Sequence, residues 1–169
     1  MGKMVIKRGD ITKEDVDVIV NAANTGLRGG GGVDGAIHKA AGPAVMDECR
    51  KIGGCKTGDA VITGAGELKA KKIIHTPGPV WNGGKSGEPE LLRSCYANSF
   101  SLAKENGMGS IAFPAISTGI YGYPIEDATR IAIEEGLSRI NDFDKIVYVC
   151  FSEGDYEIYR KVYEELVKN

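Results

Sequence analysis

A three-layer α/β/α domain around a central mixed, mostly parallel sheet is the fold class the sequence predicts, on three observations. Short apolar runs rich in β-branched residues alternate with longer stretches of helical periodicity, the pattern of strands joined by crossover helices. Two of the runs, VIV at 18–20 and KIVYVCF at 145–151, are nearly continuous in apolar residues, as strands covered on both faces are. And 169 residues without a linker, repeat or low-complexity segment suffice for one core but hardly for two, so a single domain over 1–169 is expected.

The elements follow in chain order. Strands are predicted at Met4–Lys7, Val16–Val20, Ala60–Thr63, Lys72–Thr76, Ser110–Pro114 and Lys145–Phe151. A helix begins near Val33 and is interrupted at Gly42-Pro43, where proline removes an amide donor and crowds the preceding turn. A second runs from Glu90 to Glu105 and stops at the Asn-Gly pair that follows. Ile125, Ala128, Ala132, Ile133 and Leu137 mark another by their spacing, and Tyr156, Tyr159, Tyr163 and Leu166 the last.

Composition excludes several function classes. The chain is 42% hydrophobic and 26% charged, with a formal net charge of −2, and so carries no overall basic footprint for nucleic acid. Cys49, Cys55, Cys95 and Cys150 lack C-x-x-C spacing, and only His38 and His75 accompany them, so neither a metal site nor a disulfide framework is expected. Cys95 and Cys150, in apolar surroundings, read as small buried hydrophobes. The opening MGKMVIKRGD lacks the apolar core of a signal peptide, and no stretch approaches the length of a membrane span. A cytoplasmic monomer without membrane or nucleic-acid partners is the expectation.

In folds of this class ligands gather beyond the carboxyl ends of the strands. Three unusual segments fall there: NAANTGLRGGGGVDG after Val20, AISTGIYGYP after Pro114, and SEGD after Phe151. A run of four glycines, Gly29–Gly32, is costly to order, and between a strand and a helix it lets amide N–H groups approach an anion. No Gly-Lys-Ser/Thr follows, so this is not a Walker loop. Read alone, the run is equally a flexible surface loop. Ser117, Thr118 and Gly119 add hydroxyls and a second amide-rich loop, and two such loops at neighbouring strand ends could hold a diphosphate without any lysine or arginine. Tyr123 reads as packing under the turn that Pro124 ends, Tyr121 as covering a ligand. Trp81 either packs beside the site or anchors a loop.

GDIT at 9–12, NAAN and GGGGVDGAIHKAAG within 21–42, IIHTPGPVW at 73–81 and AISTGIYGYP at 115–124 together resemble the macrodomain family over essentially the whole chain. More narrowly, they resemble its MacroD-type branch of O-acetyl-ADP-ribose deacetylases and ADP-ribosyl-glutamate/aspartate hydrolases. The resemblance implies a hydrolase that binds ADP-ribose, cleaves its O-acyl esters and acts on mono-ADP-ribosylated proteins, with a non-catalytic ADP-ribose reader as the alternative; no cofactor is expected. It implies that Asp10 accepts from the adenine amino group and that the Ile11 amide reads the ring, although an isolated Asp10 would read as a cap or turn residue. Phe151 would lie beside the adenine, where packing into the core is the alternative. Ser117, Thr118, Gly119, Ile120 and Tyr121 would wrap the diphosphate, Gly32 and Val33 would form the opposite wall, and Tyr121 would approach the distal ribose. Asn24 and Asp34 would flank the ribose carbon that carries the ester.

Ester hydrolysis needs a positioned water, a base or its equivalent, and stabilisation of the oxyanion. Asp34 is the candidate base or water-orienting group, and the Asn24 amide would hold a ribose hydroxyl or the water. A carboxylate with the ordinary value of about 4 is a weak base at neutral pH. The resemblance therefore also admits a route in which a substrate phosphate oxygen activates the water while Asp34 orients the sugar. Covalent catalysis finds no G-x-S-x-G elbow and no cysteine in either loop. His38, four residues after Asp34 on one helical face, reads as a structural histidine or a partner of that aspartate, and His75 as a satisfied buried histidine.

Overall fold

The computed structural model describes residues 2–168; positions 1 and 169 of the expected domain lie outside the described residues. Six strands form one sheet: β1 (Lys3–Arg8), β2 (Val18–Ala23), β3 (Val61–Gly64), β4 (Lys72–Pro77), β5 (Ser110–Phe113) and β6 (Lys145–Cys150). Their spatial order is β1-β6-β5-β2-β4-β3, and every neighbouring pair is parallel except β3 with β4. Five helices complete the layers: α1 (Gly32–Ala41), α2 (Pro43–Ile52), α3 (Glu88–Glu105), α4 (Ile125–Arg139) and α5 (Glu153–Lys168).

Side chains alternate across a strand, and β2 shows what that does here. Val18 and Val20 pack with Tyr96, Phe100, Phe113 and Tyr148 in the core under α3, α4 and α5. Ile19 points the other way, to Ile37, Val45 and Cys49 beneath α1 and α2. The continuous apolar run of β6 divides the same way, Ile146 and Tyr148 to one core, Val147 and Val149 to the other. Helix α4 passes close over this layer because residue 136 is a glycine, where a Cβ would overlap the Tyr148 hydroxyl.

The predicted elements all exist, with shifted ends. Strand β2 begins two residues later than expected and runs on through Asn21, Ala22 and Ala23. Asp17 is bound elsewhere: its carboxylate accepts from the Gly109 amide, its own N–H donates to Ser110 Oγ, and its carbonyl takes the Lys71 and Lys72 amides. The extra residues pair with His75, Thr76 and Pro77 of β4, which carries a polar residue, Asn21, into the middle of the sheet. The break at Gly42-Pro43 separates two helices, with Gly42 at φ 89 and Pro43 in the first turn of α2. Helix α3 starts at Glu88, two residues before the expected position. All four cysteines are buried and free.

Candidate functional site

The carboxyl ends of β2 and β5 open into a cleft of about 350 Å³. Asn24, Gly30–Gly32, Val33 and Asp34 line one wall, Ala115, Ser117, Gly119, Ile120 and Tyr121 the other, with Gly78 between them at the end of β4. The two loops singled out in the sequence therefore face each other across one space.

The glycine wall is shaped by backbone demands. Gly29 and Gly32 take φ of 77° and 57°, in the region L side chains rarely adopt. Gly30 sits between the two polar residues: a Cβ there would stand 3.4 Å from Asp34 Oδ2 and 3.9 Å from Asn24 Nδ2. Asn24 clasps the loop, its Nδ2 donating to the Gly29 carbonyl at 2.8 Å and its Oδ1 accepting from the Arg28 amide at 3.0 Å. Helix α1 then begins at the cleft with no side chain capping its first turn, which is the arrangement that suits an anion.

The opposite wall stores strain. Ser117 has φ 68°, and with Leu27 it is one of two non-glycine residues at positive φ among the described residues. Its hydroxyl is buried without a hydrogen-bond partner. Such strain and such an orphaned donor collect at functional sites. Ile120 is 98% exposed at the rim. Tyr123 is buried against Trp81, ring centres 4.6 Å apart, and the Trp81 amide donates to the Tyr121 carbonyl at 2.8 Å. Trp81 thus anchors the loop.

Behind the glycine wall lies a polar network that sequence reasoning did not assemble. Asp34 is nearly buried, and its Oδ1 accepts from Asn21 Nδ2 at 2.9 Å, with His38 Nε2 3.4 Å away. Asn21 Nδ2 also meets His75 Nδ1 at 3.1 Å, and His75 Nε2 meets Thr63 Oγ1 at 2.9 Å. Burial first, and the neighbouring His38 second, bring His75 down to about 4, so it is neutral at physiological pH. The signal for Asn21 was the NAAN motif itself, whose first asparagine falls inside a strand.

The fold also gathers what the spacing did not suggest: ligand-type atoms of His38, Cys49 and His75 lie within 4.8 Å of one another. Both His75 nitrogens are already hydrogen-bonded, and burial, then Asp34 and Glu48, raise the Cys49 thiol above its usual range. A metal would need the thiolate and a free ring nitrogen. Cys49 and His75 are thus already tied into hydrogen bonds, with the His38 ring stacked beside His75.

Of the sequence-predicted residues, Asn24, Gly32, Val33, Asp34, Ser117, Gly119, Ile120 and Tyr121 line the cleft. Asp10, Ile11, Thr118 and Phe151 do not line it. Asp10 and Phe151 stand together at the far end of the same sheet edge, where β1 and β6 finish side by side. Asp10 caps a short 3-10 turn at Ile11–Lys13, accepting from the Thr12 hydroxyl and amide on Oδ1; those two bonds lower its carboxyl, the hydroxyl most. Ile11 is buried, whereas Phe151 is 87% exposed, so core packing is not what holds Phe151.

Comparisons with known proteins point to one family. The family model described as Macro domain matches residues 20–132. An O-acetyl-ADP-ribose deacetylase of Escherichia coli is 51% identical over 164 residues, 93% of each chain. A Macro domain-containing protein of Chlorobaculum tepidum is 56% identical over 157 residues, 91% of each chain. Among solved structures, a mutant macrodomain of Oceanobacillus iheyensis with ADPR has a TM-score of 0.92 and 44% identity, over 97% of this chain and 93% of that one.

Proposed function

The chain belongs to the Macro domain family, and from that premise we propose that it is an ADP-ribose-binding hydrolase that cleaves esters of ADP-ribose. Its substrates are O-acetyl-ADP-ribose and proteins carrying mono-ADP-ribose on Asp or Glu, and the whole chain acts as one macrodomain. One observation carries the reading: a buried carboxylate, Asp34, stands one residue-width from the Asn24 amide across Gly30, beside the uncapped start of α1.

In this reading the diphosphate lies between the first-turn amides of α1, at Gly32 and Val33, and the loop Ser117, Thr118, Gly119, Ile120 and Tyr121. Asp10 and the Ile11 amide take the adenine at the far sheet edge, with the exposed ring of Phe151 beside it. Both Thr12 bonds fall on Asp10 Oδ1, which leaves Oδ2 for the adenine amino group. The distal ribose enters between Tyr121 and the Asn24–Asp34 pair. One Asn24 amide hydrogen closes the loop on Gly29, and the other is available to a ribose hydroxyl or the attacking water. Asp34 Oδ1 is committed to Asn21, so Oδ2, the oxygen nearer Gly30, is the one that can orient or deprotonate water.

The reading is tested by incubating the protein with O-acetyl-ADP-ribose and following ADP-ribose by mass spectrometry, beside Asn24→Ala and Asp34→Ala. Turnover that falls sharply in both variants is expected. No turnover by the native protein, with ADP-ribose still bound in calorimetry, would make it a non-catalytic reader.

A further inference from the structure

We propose that His75 is a positioning residue for the reaction: through a fixed tautomer it orients the Asn21 amide, and Asn21 in turn holds Asp34. The inference rests on the hydrolase reading above and adds a residue that touches no substrate.

Thr63 Oγ1 donates its one hydrogen to the Gly64 carbonyl at 2.9 Å. Its contact with His75 Nε2, also 2.9 Å, is then one the hydroxyl oxygen accepts, and the far end of the chain requires the same: the Asp34 carboxylate accepts from Asn21 Nδ2, which can donate to His75 only at a bare Nδ1, so Nε2 carries the ring hydrogen. A neutral imidazole has one N–H, which leaves Nδ1 bare and an acceptor. Asn21 Nδ2 lies 3.1 Å from that nitrogen and 2.9 Å from Asp34 Oδ1, so its two hydrogens are both spent, one on each. Turning the amide over would set Asn21 Oδ1 against a lone pair and a carboxylate oxygen at once. The residue accepts instead a buried Oδ1 without a partner, a cost that the two donated bonds must outweigh. Thr63 on β3, His75 on β4, Asn21 on β2 and Asp34 on α1 thus form one directional chain ending at the cleft.

The surroundings favour the neutral ring this chain requires. His75 and Asn21 are fully buried and sit opposite each other in the β2–β4 register. The other titratable groups against the ring are His38 from α1, stacked on it, and Cys49 from α2, its thiol 3.9 Å from Nε2, while Asp34 is reached through Asn21.

Two substitutions separate positioning from packing. The His75→Asn side chain presents an oxygen near where Nδ1 stands and can still accept from Asn21. His75→Gln reaches toward Thr63 but withdraws that acceptor. On O-acetyl-ADP-ribose, His75→Gln is expected to lower kcat by roughly tenfold or more, with ADP-ribose Kd within about twofold of native, while His75→Asn stays well above it. Equal losses in the two variants, or a loss of affinity as large as the loss of kcat, would overturn the proposal. Should either variant fail to fold, or the native protein turn nothing over, nitrogen NMR of the native His75 ring decides: hydrogen on Nε2 supports the chain, hydrogen on Nδ1 sinks it. Native inactivity with hydrogen on Nε2 would refute the hydrolase reading and leave the Asn21 orientation standing.

Discussion

At the scale of single residues the proposed site divides its labour along the length of the nucleotide. Asp10 stands at the adenine end and is exposed, its carboxylate half used by Thr12. Asp10→Ala should therefore remove one charge-assisted hydrogen bond to ligand and weaken ADP-ribose binding by about 1.5–3 kcal/mol, or ten- to a hundred-fold. Asn24→Ala, at the ester end, should instead lower turnover more than affinity. Calorimetry that found binding lost in Asn24→Ala and intact in Asp10→Ala would reverse the orientation of the nucleotide. The sequence singled out these two residues and Asp34 because each lies in a local motif. It marked His75 only as a satisfied buried histidine and gave Asn21 no role of its own, because the contacts that join Asn21 to Asp34 and to His75 span 13 and 54 positions of the chain. No window read from one segment shows that an asparagine in a strand faces a histidine in another.

Elements carry a second kind of information, namely how the loops between them are held. Helix α3 opens with Glu88, a buried residue whose carboxylate accepts the amides of Asn82 at 2.7 Å, Gly84 at 3.0 Å and Ser86 at 2.6 Å. Instead of receiving a cap, the helix start closes the loop before it, and that loop carries Trp81, which in turn holds the Tyr121 carbonyl. The sequence placed the helix two residues too late because Glu88-Pro89 reads as a turn, and its cap signal points backwards, out of the helix. Burial pushes the Glu88 carboxyl up, but the amides together outweigh it and hold it at about 2. Its folded value is below its unfolded one, so its contribution to stability is present above the ordinary carboxylate value and is lost as pH falls from about 4 toward 2. Thermal melts should show the native protein more stable than Glu88→Gln at neutral pH, with the gap closing over that acid range. A gap independent of pH would mean that the loop is held by something other than charge.

For the whole molecule, the strand order decides that a site exists at all. Because β5 and β2 are parallel neighbours, the loops that leave their carboxyl ends emerge side by side, although Asp34 and Ser117 are distant in the chain. Alternating periodicity was enough to read the parallel, layered architecture, and so to place both loops at one end of the sheet. What it could not supply is the floor between them. Gly78 follows β4 in the TPGP stretch, which the sequence offered as part of a motif without a role for the glycine, yet a Cβ there would overlap Ser117 Oγ and stand 2.6 Å from Ile116 Cγ2. Its backbone is not at positive φ, so the glycine is required by approach and not by conformation. Gly78→Ala should accordingly leave the strand intact and push the Ser117 loop, already strained at φ 68°, out of its place against the cleft. The expected result is a modest fall in melting temperature, about 2–4 °C for each kcal/mol in a chain of this size, with a loss of ADP-ribose affinity of roughly tenfold or more. Affinity unchanged alongside a lowered melting temperature would show that the loop re-forms around the ligand, and that the floor serves stability alone.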